Sequence, residues 1–212
     1  MRIFYDFEFI EDGRTIDPIS VGMVREDDAE LYLVNEEIVR PEINVKIRAN
    51  EWVMKHVIPQ LPLVPPERSG GILSYRVQQN PRDASSFFNL DLDSNLVVSK
   101  RYIRNAVRDF VLADNVVGKD YDGPPVAELW GYYSAYDHVL LAQLFGPMMA
   151  LPRGFPMWTN DIQQEHERLL REGAHPTGVL PPQSESLAHN ALYDARWNMQ
   201  AWKSLQVVRE AR

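Results

Sequence analysis

The chain has 212 residues, 45% of them hydrophobic, and a formal charge of −8. That size suits one compact domain with its own core, and the acidic balance argues against a broad basic surface for duplex nucleic acid. No run approaches the ~18 apolar residues of a membrane helix, Met1 leads straight into a strand with no basic-then-apolar leader, and the absence of cysteine excludes disulfides and thiolate chemistry; together these point to a cytoplasmic protein.

Residues 2–10, "RIFYDFEFI", read as a buried strand with Asp6 and Glu8 in its middle. Residues 16–27 and 30–38 read as two further strands joined at the turn Asp27-Asp28, so an N-terminal antiparallel meander is expected. A short helix capped by Asn50 is expected over 50–62, ending near Pro59. Residues 63–99 are rich in Pro, Gly, Ser and Asn without clean periodicity and read as a long loop or insertion. Residues 100–114 place Tyr102, Ile103, Ala106, Val107, Phe110 and Val111 on one helical face. A strand over 126–133 follows, then a helix over 134–146 stopped by Gly146-Pro147. Another helix covers 160–173, and after a proline-punctuated loop the last helix spans 186–208. Strands first, then helices alternating with a late strand, predict an α/β fold with a mixed sheet and helices on both faces, in a single domain over 1–212.

Side chains alternate along a strand, so Asp6 and Glu8 point the same way, about 7 Å apart, and share their face with Phe4 and Ile10. An unpaired buried charge is costly, and hard cations held by a few carboxylates resolve it. A lone D-x-E also reads as an exposed edge or an ion-pair partner. In "WGYYSAYDHVLLAQLFG", Asp137 stands three residues after Ser134 ahead of an apolar run: a capping box, or a carboxylate in a helix's first turn at the end of the sheet, where ligands gather. In "HNALYDARWNMQAW", Ala191, Asp194, Ala195 and Asn198 share one helical stripe, and two alanines beside Asp194 allow close approach to the sheet. His189, five residues before Asp194, lies about 140° away around an ideal helix, so it fits at the helix entrance. The plainer reading is a surface aspartate and a solvent-facing histidine.

Taken together, D-x-E on the first strand, a mid-chain Asp opening a helix and H-x-A-x-x-D-A late in the chain resemble the DEDDh 3′-to-5′ exonucleases of the ribonuclease H-like fold. The matching residues are Asp6, Glu8, Asp137, His189 and Asp194. The stretches "FYDFEFIEDGRTIDPISVG" and "ELWGYYSAYDHVLLAQLFGPM" are most similar to the mycobacterial polyadenylate-specific 3′-exoribonuclease group. The resemblance covers roughly residues 1–62 and 100–203; 63–99 finds no match. Phe7 fills the middle of D-x-E where many relatives carry a small or hydroxylated residue, and Ser134 falls where many place an amide near the substrate.

The resemblance implies hydrolysis of single-stranded RNA from its 3′ end, releasing nucleoside 5′-monophosphates, with a preference for poly(A). It implies two Mg²⁺ ions, replaceable by Mn²⁺, about 3.5–4 Å apart. Asp6 would bridge both ions, Glu8 and Asp194 would complete the site of the attacking water, and Asp137 would hold the second ion mainly through water. His189 would take the proton, a role an imidazole suits near neutral pH. Phe9 is the candidate for touching the terminal base, with Ser134 a second substrate contact, and the resemblance also implies a homodimer. The alternatives are an exonuclease for DNA or short oligonucleotides, a non-catalytic nucleic-acid-binding module, and a small-molecule metallohydrolase. Lys100, Arg101, Arg104 and Arg108 form a basic stripe that either follows a phosphate backbone or is a solvated face. Most aromatics, such as Trp130 and Trp202, read as core; His138 reads as packing, and His56, His166 and His175 fit no ligand pattern.

Overall fold

The computed structural model describes residues 1–65, 88–113, 115, 117, 118, 120–173 and 180–210. The first two strands, β1 (Arg2–Glu11) and β2 (Ile16–Arg25), pair antiparallel with Asp6 opposite Gly22 and Glu8 opposite Ser20. Their turn is held by Asp12, whose carboxylate accepts from the N–H groups of Arg14 (2.9 Å) and Thr15 (2.8 Å). The register shifts between Glu8 and Phe9, where Pro18 enters the pairing without an N–H to give to the ladder. Asp28, at φ 65°, turns the chain into β3 (Glu30–Asn35), antiparallel to β2. This is the expected hairpin at Asp27-Asp28.

β3 ends at Asn35, short of the expected 38. Asn35 accepts from the Glu37 N–H (3.1 Å) and donates to the Pro18 carbonyl (2.9 Å), so its side chain starts a 3₁₀ turn over Glu36–Val39. A helix not anticipated, α1 (Pro41–Ala49), follows with Pro41 in its first turn, where no N–H is needed. The Asn50 cap is present, accepting from Val53 N–H at 3.0 Å, but α2 (Glu51–His56) is shorter than expected and passes into a 3₁₀ turn over Ile58–Gln60. Within the expected 63–99 excursion, residues 66–87 lie outside the described residues; the remainder contains a Leu63–Leu90 bridge and a two-residue strand, β4 (Val97–Val98), parallel to β3.

α3 (Lys100–Leu112) buries Ile103, Val107 and Val111, whereas Tyr102, expected on the same face, is 57% exposed. β5 (Glu128–Gly131), α4 (Ala135–Phe145), β6 (Asn160–Asp161) and α5 (Ile162–Arg171) complete the middle of the chain. The last helix, α6 (Ala191–Glu210), starts five residues later than expected. The sheet order is β4-β3-β2-β1-β5-β6, with β5 parallel to β1 and β6 parallel to β5.

Alternation along β1 divides the core. Ile3, Tyr5 and Phe7 pack with Ile103 and Val107 of α3 and with Leu140 and Leu144 of α4. On the other face Ile10 joins Ile19, Val34 and the α1–α2 residues Ile43, Ile47 and Val53. Trp197, Ala201 and Leu205 of α6 pack with Ile162 and Leu169 of α5. Among the described residues no helix is long and apolar enough to cross a membrane.

Candidate active site

β5 pairs with β1 only at Arg2, Ile3 and Phe4, and beyond that point two side chains take over the β1 backbone. Asn198 Nδ2, on α6, donates to the Tyr5 carbonyl at 3.0 Å. The Phe7 N–H donates to Asp137 Oδ1, on α4, at 3.0 Å. A helix is thus fastened on each side of Asp6, where β1 and β5 part. α6 comes close because Gly22, opposite Asp6, has no side chain: a Cβ there would lie 2.2 Å from the carbonyl carbon of Ala191. Ala191 and Ala195 are both fully buried, in line with the close approach expected of the small-residue stripe, and Asp194 between them lines the same cleft as Asp6 and Glu8 of β1.

The result is a cleft of about 440 Å³ whose walls include Asp6, Glu8, Phe9, Asp137, His189 and Asp194. Burial, then the charges of Asp137, Glu8 and Asp194, pushes the Asp6 carboxyl well above its ordinary range. Burial first and Asp194 next raise Glu8 to about 8. Asp137 rises to about 7 through burial, opposed by its hydrogen bond from Phe7. Asp194 rises to about 6 through burial, opposed by the N–H of His189. Four neighbouring carboxyls therefore resist ionising together, and a cation would reverse that.

The donor set fits one. Ligand atoms of Glu8, His189 and Asp194 all lie within 4.8 Å of one another. Asp194 uses Oδ2 to accept from the His189 N–H at 2.8 Å, while Oδ1 is buried without a hydrogen-bond partner among the described residues. A buried carboxylate oxygen left unpartnered, with the Glu8 carboxylate close by, is what a hard divalent ion satisfies.

His189 stands before α6, in a left-handed conformation at φ 69°, consistent with the angular argument that kept it off the Asp194 stripe. Asn190 caps the helix behind it, accepting from Tyr193 N–H at 3.1 Å. Burial, with a smaller contribution from His56, lowers the basicity of the His189 ring. Phe9 is half-buried and stacks on Tyr136 with ring centroids 5.6 Å apart at 25°. Tyr136, 55% exposed, also lines the cleft and was not singled out in the sequence.

Ser134 is placed differently from its expected substrate contact. It is fully buried, and its N–H (2.8 Å) and hydroxyl (3.2 Å) both donate to Asp161 Oδ2. It gives α4 no side-chain cap, so the capping-box reading yields to one in which Asp137 reaches β1 and Ser134 ties α4 to β6. None of Lys100, Arg101, Arg104 and Arg108 lines this cleft, and Arg108 pairs with Asp109 at 2.7 Å. His138 is buried and His166 lies on α5, both away from the cleft lining, and His175 lies outside the described residues. His56, which fitted no sequence pattern, stands against His189 with centroids 5.7 Å apart.

Residues 76–206 match the family described as the 3′-5′ exoribonuclease Rv2179c-like domain. Two curated relatives, 3′-5′ exoribonuclease Rv2179c of Mycobacterium tuberculosis strain H37Rv and 3′-5′ exoribonuclease MT2234.1 of strain CDC 1551, are each 36% identical over 211 residues. Each alignment spans 100% of this chain and 96% of the relative.

Proposed function

The chain belongs to the Rv2179c-like 3′-5′ exoribonuclease family, and we propose that it hydrolyses single-stranded RNA from the 3′ end, releasing nucleoside 5′-monophosphates, in a DEDDh site of the ribonuclease H-like kind. The observation that carries the reading is the buried, unpartnered Asp194 Oδ1, in a cleft whose four carboxyls are all held above their usual range. Asp6, Glu8, Asp137 and Asp194 would hold two Mg²⁺ ions, or Mn²⁺ in their place. When bound, such ions offset the charge of the phosphate and of the attacking and leaving oxygens.

The chain's own groups do the rest. The lowered basicity of His189 keeps its imidazole neutral near pH 7, ready to take a proton from the attacking water. Asp194 Oδ2 holds the His189 backbone while its other oxygen stays available to a cation. The Phe9–Tyr136 stack offers an aromatic face to the terminal base. Preference for RNA over DNA rests on contacts to the 2′-hydroxyl, and the reading includes a preference for adenylate-rich ends. We take the single domain to act in the cytoplasm as a homodimer; light scattering then gives twice the chain's 24.5 kDa, and a strict monomer removes that part of the reading.

The test uses 5′-labelled A-tailed, U-tailed and mixed RNA and a matching DNA, each with Mg²⁺ or EDTA. Expected is a Mg²⁺-dependent ladder shortening from the 3′ end of the RNAs, fastest on the A-tailed strand and absent in Asp6→Asn. Faster cleavage of DNA redirects the assignment to a DNA exonuclease. No cleavage of any strand by folded, metal-loaded protein refutes the exonuclease.

A further inference from the structure

A general base has to be held within a fraction of an ångström of its working position, yet neither ring nitrogen of His189 has a hydrogen-bond partner among the described residues. The ring is held by other rings. Trp52 meets it edge-on, with centroids 4.6 Å apart at 74°, and His56 lies 5.7 Å away at 71°. Trp52 and His56 are four residues apart on α2, so they share a helical face, and they touch each other at 5.2 Å. The turn carrying His189 is fastened to the same region. Gln60, in the 3₁₀ turn after α2, donates through Nε2 to the Ser186 carbonyl at 3.0 Å. Asn190 Nδ2 donates to the Gln60 carbonyl at 3.5 Å. α2 itself is rooted in the core by Val53, 3% exposed, and capped by Asn50.

We propose that α2 is the platform that positions His189, with Trp52 as the positioning residue that fixes the plane of its imidazole and Gln60 as the latch that fixes its loop. The proposal rests on the reading of His189 as the proton acceptor. It assigns a role to a tryptophan that is 50% exposed and so adds little to the core. His56 completes the three-ring cluster, limiting how far the Trp52 indole can swing. The arrangement suits a residue at φ 69°: a left-handed backbone outside glycine persists only where its surroundings hold it.

The experiment measures steady-state hydrolysis of a 5′-labelled single-stranded RNA by the full chain with saturating Mn²⁺, for wild type, Trp52→Ala, Trp52→Phe, His189→Ala and the Trp52→Ala/His189→Ala pair. Trp52→Ala is expected to lower kcat between about 10- and 100-fold with KM within about twofold of wild type. Trp52→Phe restores most of the rate, and the double variant is no slower than His189→Ala, because a residue acting through another adds nothing once that other is gone. The rise in melting temperature on adding Mn²⁺ is kept in Trp52→Ala. If Trp52→Ala slows the His189→Ala background by the same factor as wild type, or raises KM alone, Trp52 acts on substrate or fold and the proposal is overturned. A slow His189→Ala beside a fully active Trp52→Ala overturns the platform but keeps the active-site reading. A wild type that cleaves no RNA, or a fully active His189→Ala, overturns that reading and the proposal with it.

Discussion

Asp6 shows at the scale of one residue how function and stability pull apart. Its carboxyl sits among Glu8, Asp137 and Asp194, and both burial and their charges oppose its ionisation. Asp6→Asn keeps the shape and removes one of the four competing charges. The expected outcome is a metal-free protein at pH 8 that melts a few degrees higher, a gain on the order of 1 kcal/mol, together with loss of RNA hydrolysis. Thermal unfolding in EDTA checks the first part, and a lower melting temperature would contradict the electrostatic account. The carboxylates were legible in the sequence because their placement follows local periods: two along β1 for Asp6 and Glu8, and 3.6 along α6 for Asp194 with its alanines. Tyr136 and His56 were not. Tyr136 matters because Phe9 of β1 stacks on it, and His56 because the turn before α6 folds back over α2. No local pattern encodes either meeting.

At the scale of elements, the site depends on how closely α6 approaches β2. Gly22 sets that distance, since a Cβ there would meet backbone atoms of Ala191 and Leu192 at 2.2 and 2.3 Å, and backbone cannot swing aside. Gly22→Ala is expected to destabilise the protein by at least about 2 kcal/mol and to cost most of the activity, because the displaced helix carries Asp194 away from Glu8. Urea unfolding and hydrolysis assays on the variant check this; wild-type stability with wild-type activity would show that α6 is not fixed at Gly22. The sequence marked the helix side of the contact through Ala191 and Ala195, but a glycine inside a strand reads equally as a bulge or a close approach. α3 could be read directly from its one-sided apolar stripe, and α4 from a continuous apolar run stopped at Gly146-Pro147. α1 was hidden because it follows a 3₁₀ turn set by Asn35, whose partner Pro18 is 17 residues away, and β4 because two residues carry no period. The helix expected from 186 begins at Ala191 because Asn190 caps it, accepting from the Tyr193 N–H.

For the whole molecule, the carboxyl cluster couples metal, pH and stability. Ordinary carboxyls in the unfolded chain titrate near 4, whereas in the folded protein Asp194 titrates at about 6, Asp137 at about 7 and Glu8 at about 8. Between those limits the native state binds more protons than the unfolded one. Its stability without metal therefore falls as pH rises from about 4 to about 8. His189 and His138, whose basicity is lowered, act the other way, but only below about pH 6.5, where the unfolded chain would protonate them. The clean window is thus from about pH 6.5 to 8.5, in which Asp137 and Glu8 lose their protons and the metal-free melting temperature should drop. A divalent cation binds the ionised carboxylates, so its stabilisation should grow across the same window. At a hundredfold excess over Kd, binding adds about 2.7 kcal/mol, or about 5–10 °C for a chain of this size. Melting curves with Mg²⁺ and with EDTA at both ends of the window decide it. A larger metal effect at high pH, reversed by EDTA, is the signature of cations replacing protons on these carboxylates. A shift of equal size at both ends would locate the bound ion away from Asp137 and Glu8, and no shift at all would remove the cation from the cleft.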